Sequence, residues 1–454
     1  MNAGDVPRGA EPALRAAGSA HAGPRPWGRA AAWLLFLGPF FFITYGLANW
    51  AAAQHAHVPS LAFAWERAIP FWAWTIVPYW SIDLLYGLSL FVCASRAELD
   101  AHAKRLLTAQ LVAVTCFVAA PHRFSFDRPV ADGAFGALFD ALAGFDLPFN
   151  QLPSLHIALA VILWLVYVRR TTGMARILLD GWFLLIGASV LTTYQHHFVD
   201  IPTGFALGWL CAWLWPLPAD GVQAPTRAWR YSTDPVRQRL ALRYGAGALA
   251  CLVAALALGG TALWLAWGAL ALGLVAACYL GFGAAGFQKD ARGAMTLAAR
   301  WLYAPYLAAA WLNSRWWTRH DRAPVAVADG VWLGRIPSRR DVDDARWTRV
   351  VDLAAELPLA AHGPTAIALP LLDLVPPGTR ALREAAHAIE RQRTQAPVLV
   401  CCALGVSRSA CAVAAWLLVT GRADSADAAA ARVRGARPGI VLTDRHLAAL
   451  RALA

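Results

Sequence analysis

Apolar residues run in long uninterrupted blocks through the first two thirds of the chain, then in short blocks interleaved with charge through the last third. The block at 30–52 has the roughly 20 residues that a helix needs to cross a hydrocarbon core. Further blocks at about 70–94, 106–120, 154–168, 177–193, 201–217, 241–259 and 261–284 predict a polytopic all-α membrane region of about eight transmembrane helices. A secretory signal has an apolar core of only roughly 7–15 residues, so the first block reads as a retained span. Residues 1–28 are rich in Ala, Gly, Pro and Arg, lack an apolar period and read as a disordered tail. The stretch 300–313, with Trp316 and Trp317 after it, is aromatic and flanked by arginines, which predicts an interfacial helix rather than a ninth span. From 320 onward, β-type runs such as Val350-Val-Asp-Leu353 and Val398-Leu-Val-Cys401 alternate with helical patterns, as in a soluble α/β domain. The expected organisation is a tail at 1–28, a membrane domain at 29–218, a further transmembrane pair with the interfacial helix at 219–319, and the α/β domain at 320–454.

Composition agrees with the pattern. Of 454 residues, 58% are hydrophobic and 15% charged, too apolar for a single soluble globule. The formal charge of +12 would suit nucleic acid, but the basic residues lie in short loops between apolar blocks, which is a membrane-topology signal. One set of alternate loops holds Arg96, Lys104, Arg105, Arg169, Arg170, Arg176, Arg227, Arg230, Arg237, Arg239, Arg243, Lys289, Arg292 and Arg300. The other holds only Arg67, Arg123 and Arg128. Because Lys and Arg are retained inside, the N-terminus and the α/β domain are expected on the cytoplasmic face of a plasma or inner membrane, and the loops at 121–153 and 194–200 outside. Cys93, Cys116, Cys211, Cys251 and Cys278 occur singly in or beside apolar runs, without the spacing of a disulfide framework or a zinc site, while a reduced compartment suits Cys401, Cys402 and Cys411.

The run ending at Cys401 reads as a buried strand and the apolar run at 409–418 as a helix, so residues 402–408 form the loop between them. Such a loop suits a phosphate. Its backbone N–H groups, free to converge because of Gly405, face an anion that also sits at the helix N-terminus, and Arg408 offers a bidentate fork. The same positive field favours the thiolate of Cys402, a nucleophile toward phosphorus. The sequence Cys402-Ala-Leu-Gly-Val-Ser-Arg408-Ser409 resembles the signature of the protein tyrosine and dual-specificity phosphatases, a resemblance that spans about 320–454. It implies Cys402 as nucleophile, Arg408 as phosphoryl holder and Ser409 as the hydroxyl that helps the thiolate leave. Asp373, in Pro370-Leu-Leu-Asp373-Leu-Val-Pro-Pro377, matches the setting of the family's general acid. Where that family usually has His before the nucleophile, this chain has Cys401. A disulfide between Cys401 and Cys402 is conceivable as redox protection, though neighbouring cysteines rarely have the geometry for one.

A second set of polar residues lies at the outer ends of spans: His122-Arg-Phe-Ser-Phe-Asp-Arg128-Pro129, Pro153-Ser-Leu-His156 and His196-His197-Phe-Val-Asp200. His196 and Asp200, four apart at a helix start, share a face, so the carboxylate can hold one imidazole nitrogen while the other attacks phosphorus. His156 on a separate span can protonate the leaving group. These motifs resemble the type 2 phosphatidic acid phosphatase superfamily over about 105–215. The resemblance implies His196 as nucleophile, His156 as general acid, Asp200 as its orienter, and Arg128 and Ser154 in the phosphate site. The family's first-motif Lys is Pro121 here, with Arg123 as a partial substitute, and its third-motif Arg is Val190. The wording is similar to the branch of inositol phosphorylceramide synthases, which transfer a phosphorylated head group between lipids.

The combined expectation is a membrane enzyme acting on phosphorylated lipid or protein from both faces of the bilayer, with membrane lipids as partners and with no cofactor, metal or nucleic acid. Two other classes stay open: a scaffold in which one domain binds phosphate without turnover, and a transporter, which eight spans and Asp83 inside one of them permit but which no inverted repeat of broken spans supports.

Overall fold

The computed structural model describes residues 25–343, 345–359 and 365–453, so the expected tail lies outside the described residues up to residue 24. The chain divides into two compact units, Met1–Pro218 and Ala219–Ala454.

Helices lie over all eight predicted blocks, and five of the resulting segments are long and apolar enough to cross a membrane: Trp27–Ala53, Ala73–Val92, Gly173–Thr192, Pro235–Leu258 and Gly260–Phe287. The other three fall short for identifiable reasons. Arg96–Ala119 carries Glu98, Asp100, Lys104 and Arg105 in its first half, and Leu155–Tyr167 and Asp200–Leu214 have only 13 and 15 residues.

In the first unit we label the helices α1 (Trp27–Ala53), α2 (Ile76–Val92), α3 (Arg96–Ala119), α4 (Gly133–Ala143), α5 (Leu155–Tyr167), α6 (Gly173–Thr192) and α7 (Asp200–Leu214). The outward face of α1 shows Leu35, Phe36, Phe42, Leu47 and Trp50, as a lipid-facing helix does. Helix α5 is apolar all round and almost wholly buried at the centre. Two glycines let α7 press against it. A Cβ on Gly204 would lie 2.3 Å from the Ser154 carbonyl oxygen, and one on Gly208 would lie 2.8 Å from that of Ala158. This close approach brings the N-termini of α5 and α7 together, and the Ser154 N–H donates to the Asp200 carbonyl at 3.2 Å.

The second unit begins with an antiparallel hairpin of α8 (Pro235–Leu258) and α9 (Leu265–Ala277), which ends in a wide turn over Cys278–Phe282. The predicted interfacial segment is two helices, α10 (Leu297–Leu302) and α11 (Ala304–Trp317), broken where Pro305 opens the second. The α/β part follows: β1 (Val325–Ala328), β2 (Val331–Arg335), α12 (Arg339–Asp343), β3 (Arg349–Ala354), β4 (Thr365–Leu371), α13 (Thr379–Arg393), β5 (Val398–Cys402), α14 (Arg408–Val419), α15 (Ala426–Ala436) and α16 (Asp444–Arg451). The five-stranded sheet has the order β1-β2-β5-β3-β4, parallel except for the β1–β2 pair. Every residue of β5 is buried, as the unbroken apolar run at its centre requires. Lys289, just past the hairpin, reaches into this domain. Its ammonium pairs with Asp352 and donates to the carbonyls of Ala354 and Leu357 at 2.7 and 2.6 Å.

Candidate active sites

The loop from β5 to α14 brings together the residues expected of a cysteine site. Cys402 ends β5, and its Sγ lies 3.2 Å from Ser409 Oγ and accepts the Gly405 N–H at 3.3 Å. Gly405 is required twice over: its φ is +74°, and a Cβ would sit 2.3 Å from the Gly334 carbonyl carbon. Ser314 of α11 donates to the Ala403 carbonyl at 2.6 Å and fixes the loop from outside the sheet. Cys401 is turned away by the strand's alternation, buried beside Trp347 and Val350, and unpaired; burial pushes its thiol far above the ordinary range.

Arg408, at the N-terminus of α14, is fully buried and clamped. Its Nη1 and Nη2 donate to Glu356 Oε2 and Oε1 at 2.7 and 2.5 Å, its Nη1 also donates to the Leu371 carbonyl at 2.8 Å, and its Nη2 stands 2.9 Å from Asp373 Oδ1. The two carboxyls respond in opposite directions. Burial raises Asp373 above the usual carboxylate range, opposed by Arg408 and reinforced by Glu356. Burial acts on Glu356 in the same sense, but the Arg408 guanidinium outweighs it and holds that carboxyl below its ordinary value. Two neighbouring acids pushed apart in this way suit two roles, a permanent anion that orients the arginine and a proton donor. Leu374, directly after Asp373, has a φ of 57°, and the Tyr279 hydroxyl donates to the Asp373 carbonyl at 3.0 Å. Strain in a non-glycine residue beside a buried arginine–carboxylate cluster is the kind that surrounding contacts must hold in place.

In the first unit, His196 Nδ1 lies 3.2 Å from Asp200 Oδ2, which also accepts the His197 N–H at 3.0 Å. His156 stacks on Tyr79 with ring centroids 4.2 Å apart and lies within electrostatic reach of His196; its Nε2 is buried without a hydrogen-bond partner. Ser154 caps α5 by accepting the Ile157 N–H at 3.3 Å. Arg128 lies over the Phe139 ring at 5.1 Å, within reach of Tyr79 and Asp146, whereas Arg123 is exposed and its main chain bonds to Pro59. Val190, where the family has Arg, is buried in an apolar cluster.

Three acids and a histidine here escaped the sequence reading or gained a partner in it. Glu356 follows β3, and nothing in its neighbours distinguishes it from a surface glutamate. Glu66 pairs with His197 Nδ1 at 2.9 Å, which explains why the doublet has one histidine for each carboxylate. Asp146 accepts from the Tyr45 hydroxyl at 3.0 Å and lies near His196 and Arg128; burial raises its carboxyl.

Residues 344–454 match the family model described as dual specificity phosphatase, catalytic domain, and residues 102–219 match the PAP2 superfamily. Among solved structures, Tk-PTP in its active form is 28% identical, with 29% of this chain and 95% of that one covered and a TM-score of 0.27. A mouse dual specificity phosphatase complexed with zinc tungstate is 25% identical, with 29% and 86% covered and a TM-score of 0.27. Human DUSP28 is 26% identical, with 28% and 94% covered and a TM-score of 0.26. No match was found among curated proteins. The chain thus carries a PAP2 superfamily domain and a dual specificity phosphatase catalytic domain, and is a phosphoric monoester hydrolase.

Proposed function

We propose that the protein is a bifunctional membrane phosphatase with a cysteine centre and a histidine centre. The observation that carries the reading is the convergence of Cys402, Arg408, Ser409 and Asp373 on one loop mouth. Cys402 Sγ attacks phosphorus in line while Arg408 holds the phosphoryl oxygens, and the P–O bond to the leaving group breaks as Asp373 gives that oxygen its proton. Asp373, now a carboxylate, takes a proton from water; the water oxygen bonds to phosphorus, the S–P bond breaks, and Ser409 donates to the departing thiolate.

In the histidine centre, His196 Nε2 attacks a lipid phosphate while Asp200 holds Nδ1, His156 protonates the leaving oxygen, and Arg128, Arg123 and Ser154 bind the phosphate. Water completes hydrolysis. With a phosphodiester lipid as donor, the lipid alcohol leaves, the head group stays on the phosphorus bound to His196, and a lipid hydroxyl in place of water then breaks the N–P bond. This makes the same centre a head-group transferase of the inositol phosphorylceramide synthase type, a reading favoured by Pro121 and the buried Val190 at the family's Lys and Arg positions. The loop charges support a cytoplasmic N-terminus and cytoplasmic cysteine centre, and the five long apolar helices support membrane residence. The test is hydrolysis of p-nitrophenyl phosphate by the full chain in detergent, with His196→Ala present throughout. Added Cys402→Ser should abolish it, and full activity in that double variant would exclude the cysteine mechanism.

A further inference from the structure

We infer that the Cys402 centre takes its phosphomonoester from a membrane lipid rather than from a soluble phosphopeptide. This rests on the cysteine mechanism above and adds its substrate class.

The mouth of the site is walled by the membrane hairpin. Tyr279, from the wide turn after α9, is 1% exposed and bonded to the carbonyl of Asp373. Tyr244 of α8 stacks on it with centroids 5.4 Å apart and rings 10° from parallel, and Tyr306 of α11 meets Tyr244 edge-on at 5.9 Å. All three lie within electrostatic reach of Asp373 and Glu356, and Tyr279 also of Arg408. Cys402 and Arg408 are each only 2% exposed beneath this cluster. A phosphorylated loop of another protein needs an open groove around the nucleophile, whereas here one wall of the mouth is phenols carried on the hairpin and on the helix after it, with Asp373 part-exposed and Leu374 exposed beside them.

The adjoining face is built for an anionic amphiphile. A cavity of about 660 Å³, within the range of small-molecule sites, lies between α10–α11 and the strand ends. Arg300, Arg315 and Arg339 line one part and Leu307, Trp311 and Leu357 another, with no acidic side chain among its described lining. Its Ile336, Leu357 and Leu359 pack on the Cys401 side of the sheet, and it reaches the β5–α14 loop through the main chain, the Ile336 N–H donating to the Cys402 carbonyl and Leu357 following Glu356. Arg315 is held there by its Nη2, which donates to the Ile336 carbonyl at 3.0 Å, with Asp341 Oδ2 4.0 Å from its Nη1. Trp301, Trp311, Trp316 and Trp317 are exposed along the same two helices, as residues at headgroup depth are. Basic, aromatic and apolar surfaces together fit phospholipid and not a soluble peptide.

The experiment uses the full chain carrying His196→Ala in phosphatidylcholine vesicles. Phosphatidic acid and a phosphatidylinositol monophosphate are the lipid probes, compared with a phosphotyrosine peptide and p-nitrophenyl phosphate. At least one lipid should exceed the peptide in kcat/KM by about tenfold or more. Arg300→Gln with Arg339→Gln should weaken lipid turnover about tenfold and leave aryl phosphate hydrolysis unchanged. Peptide turnover equal to that of both lipids, or a lipid rate indifferent to the double arginine change, overturns the inference. Aryl phosphate hydrolysis that survives Cys402→Ser overturns the cysteine mechanism instead, so the two failures are separable.

Discussion

Replacing Glu356 by glutamine isolates what holds Arg408 in place. In the parent, two charge-assisted hydrogen bonds at 2.7 and 2.5 Å fix the Arg408 fork. Glutamine keeps the shape but loses the charge, and it turns an NH₂ toward one guanidinium nitrogen, so one bond is lost outright. A hydrogen bond to a charged group contributes about 1.5–3 kcal/mol. A loss of about 2–3 kcal/mol in transition-state positioning predicts a fall in kcat/KM of roughly 30- to 150-fold. The released Nη2 has an alternative partner, since Asp373 Oδ1 is 2.9 Å away, and tighter pairing there withdraws the proton donor and lowers kcat as well as raising KM. The assay is p-nitrophenyl phosphate hydrolysis by the full chain carrying His196→Ala, with thermal unfolding followed in parallel. A rate within about threefold of the parent, in a protein that melts normally, would refute the claim that Glu356 positions Arg408.

Asp373→Asn should reduce hydrolysis of an alkyl phosphate about 10²- to 10⁴-fold and that of p-nitrophenyl phosphate less, because its leaving group needs little protonation and only the later activation of water is lost. Because burial raises Asp373, its acid form persists to higher pH than an ordinary carboxylate's; parent activity on the alkyl ester should fall only above that raised value, and the asparagine variant should lack that limb in a pH–rate profile. Gly405→Ala, with a positive φ and a 2.3 Å approach to Gly334, should abolish cysteine-centre turnover and cost about 2 kcal/mol or more, read from the denaturation midpoint. His196→Ala should remove lipid-phosphate turnover measured with Cys402→Ser present, and Asp200→Asn should reduce it by about 10²-fold or more, checked by release of labelled phosphate from lipid vesicles.

The cysteine loop was legible because it is local: a strand, eight residues and a helix carry the cysteine, glycine turn, arginine and hydroxyl that the fold gathers in one loop. Asp373 was legible from the prolines around it. Glu356 was not, since it reaches Arg408 only because β3 pairs with β5, and pairing between distant strands leaves no mark on a lone glutamate. The His196–Asp200 spacing singled out one histidine of the doublet, while the partner of the other, Glu66, sits far up-chain in a short 3-10 turn. Span counting by hydropathy located the helices, of which five among the described residues have the length and composition to cross alone. Nothing in the sequence singles out Tyr244, Tyr279 and Tyr306, because a sequence shows that a residue is aromatic and near an apolar run, not that the run folds back over a loop much later in the chain.

Lys289 bears on how such a fusion can be taken apart. Its ammonium and the Asp352 carboxylate are both wholly buried, one contributed by the segment after the hairpin and the other by a central strand. Nearby, the Gly293 carbonyl accepts the Leu359 N–H and the Ala291 carbonyl accepts the Ala368 N–H, both at 2.9 Å. A fragment cut at 320 would keep the acid without its counter-ion, and a buried charge stripped of its partner is strongly destabilising. Inheritance of this phosphatase module, by gene shuffling or at the bench, is therefore inheritance of its hairpin: the unit that can move intact begins near Ala219.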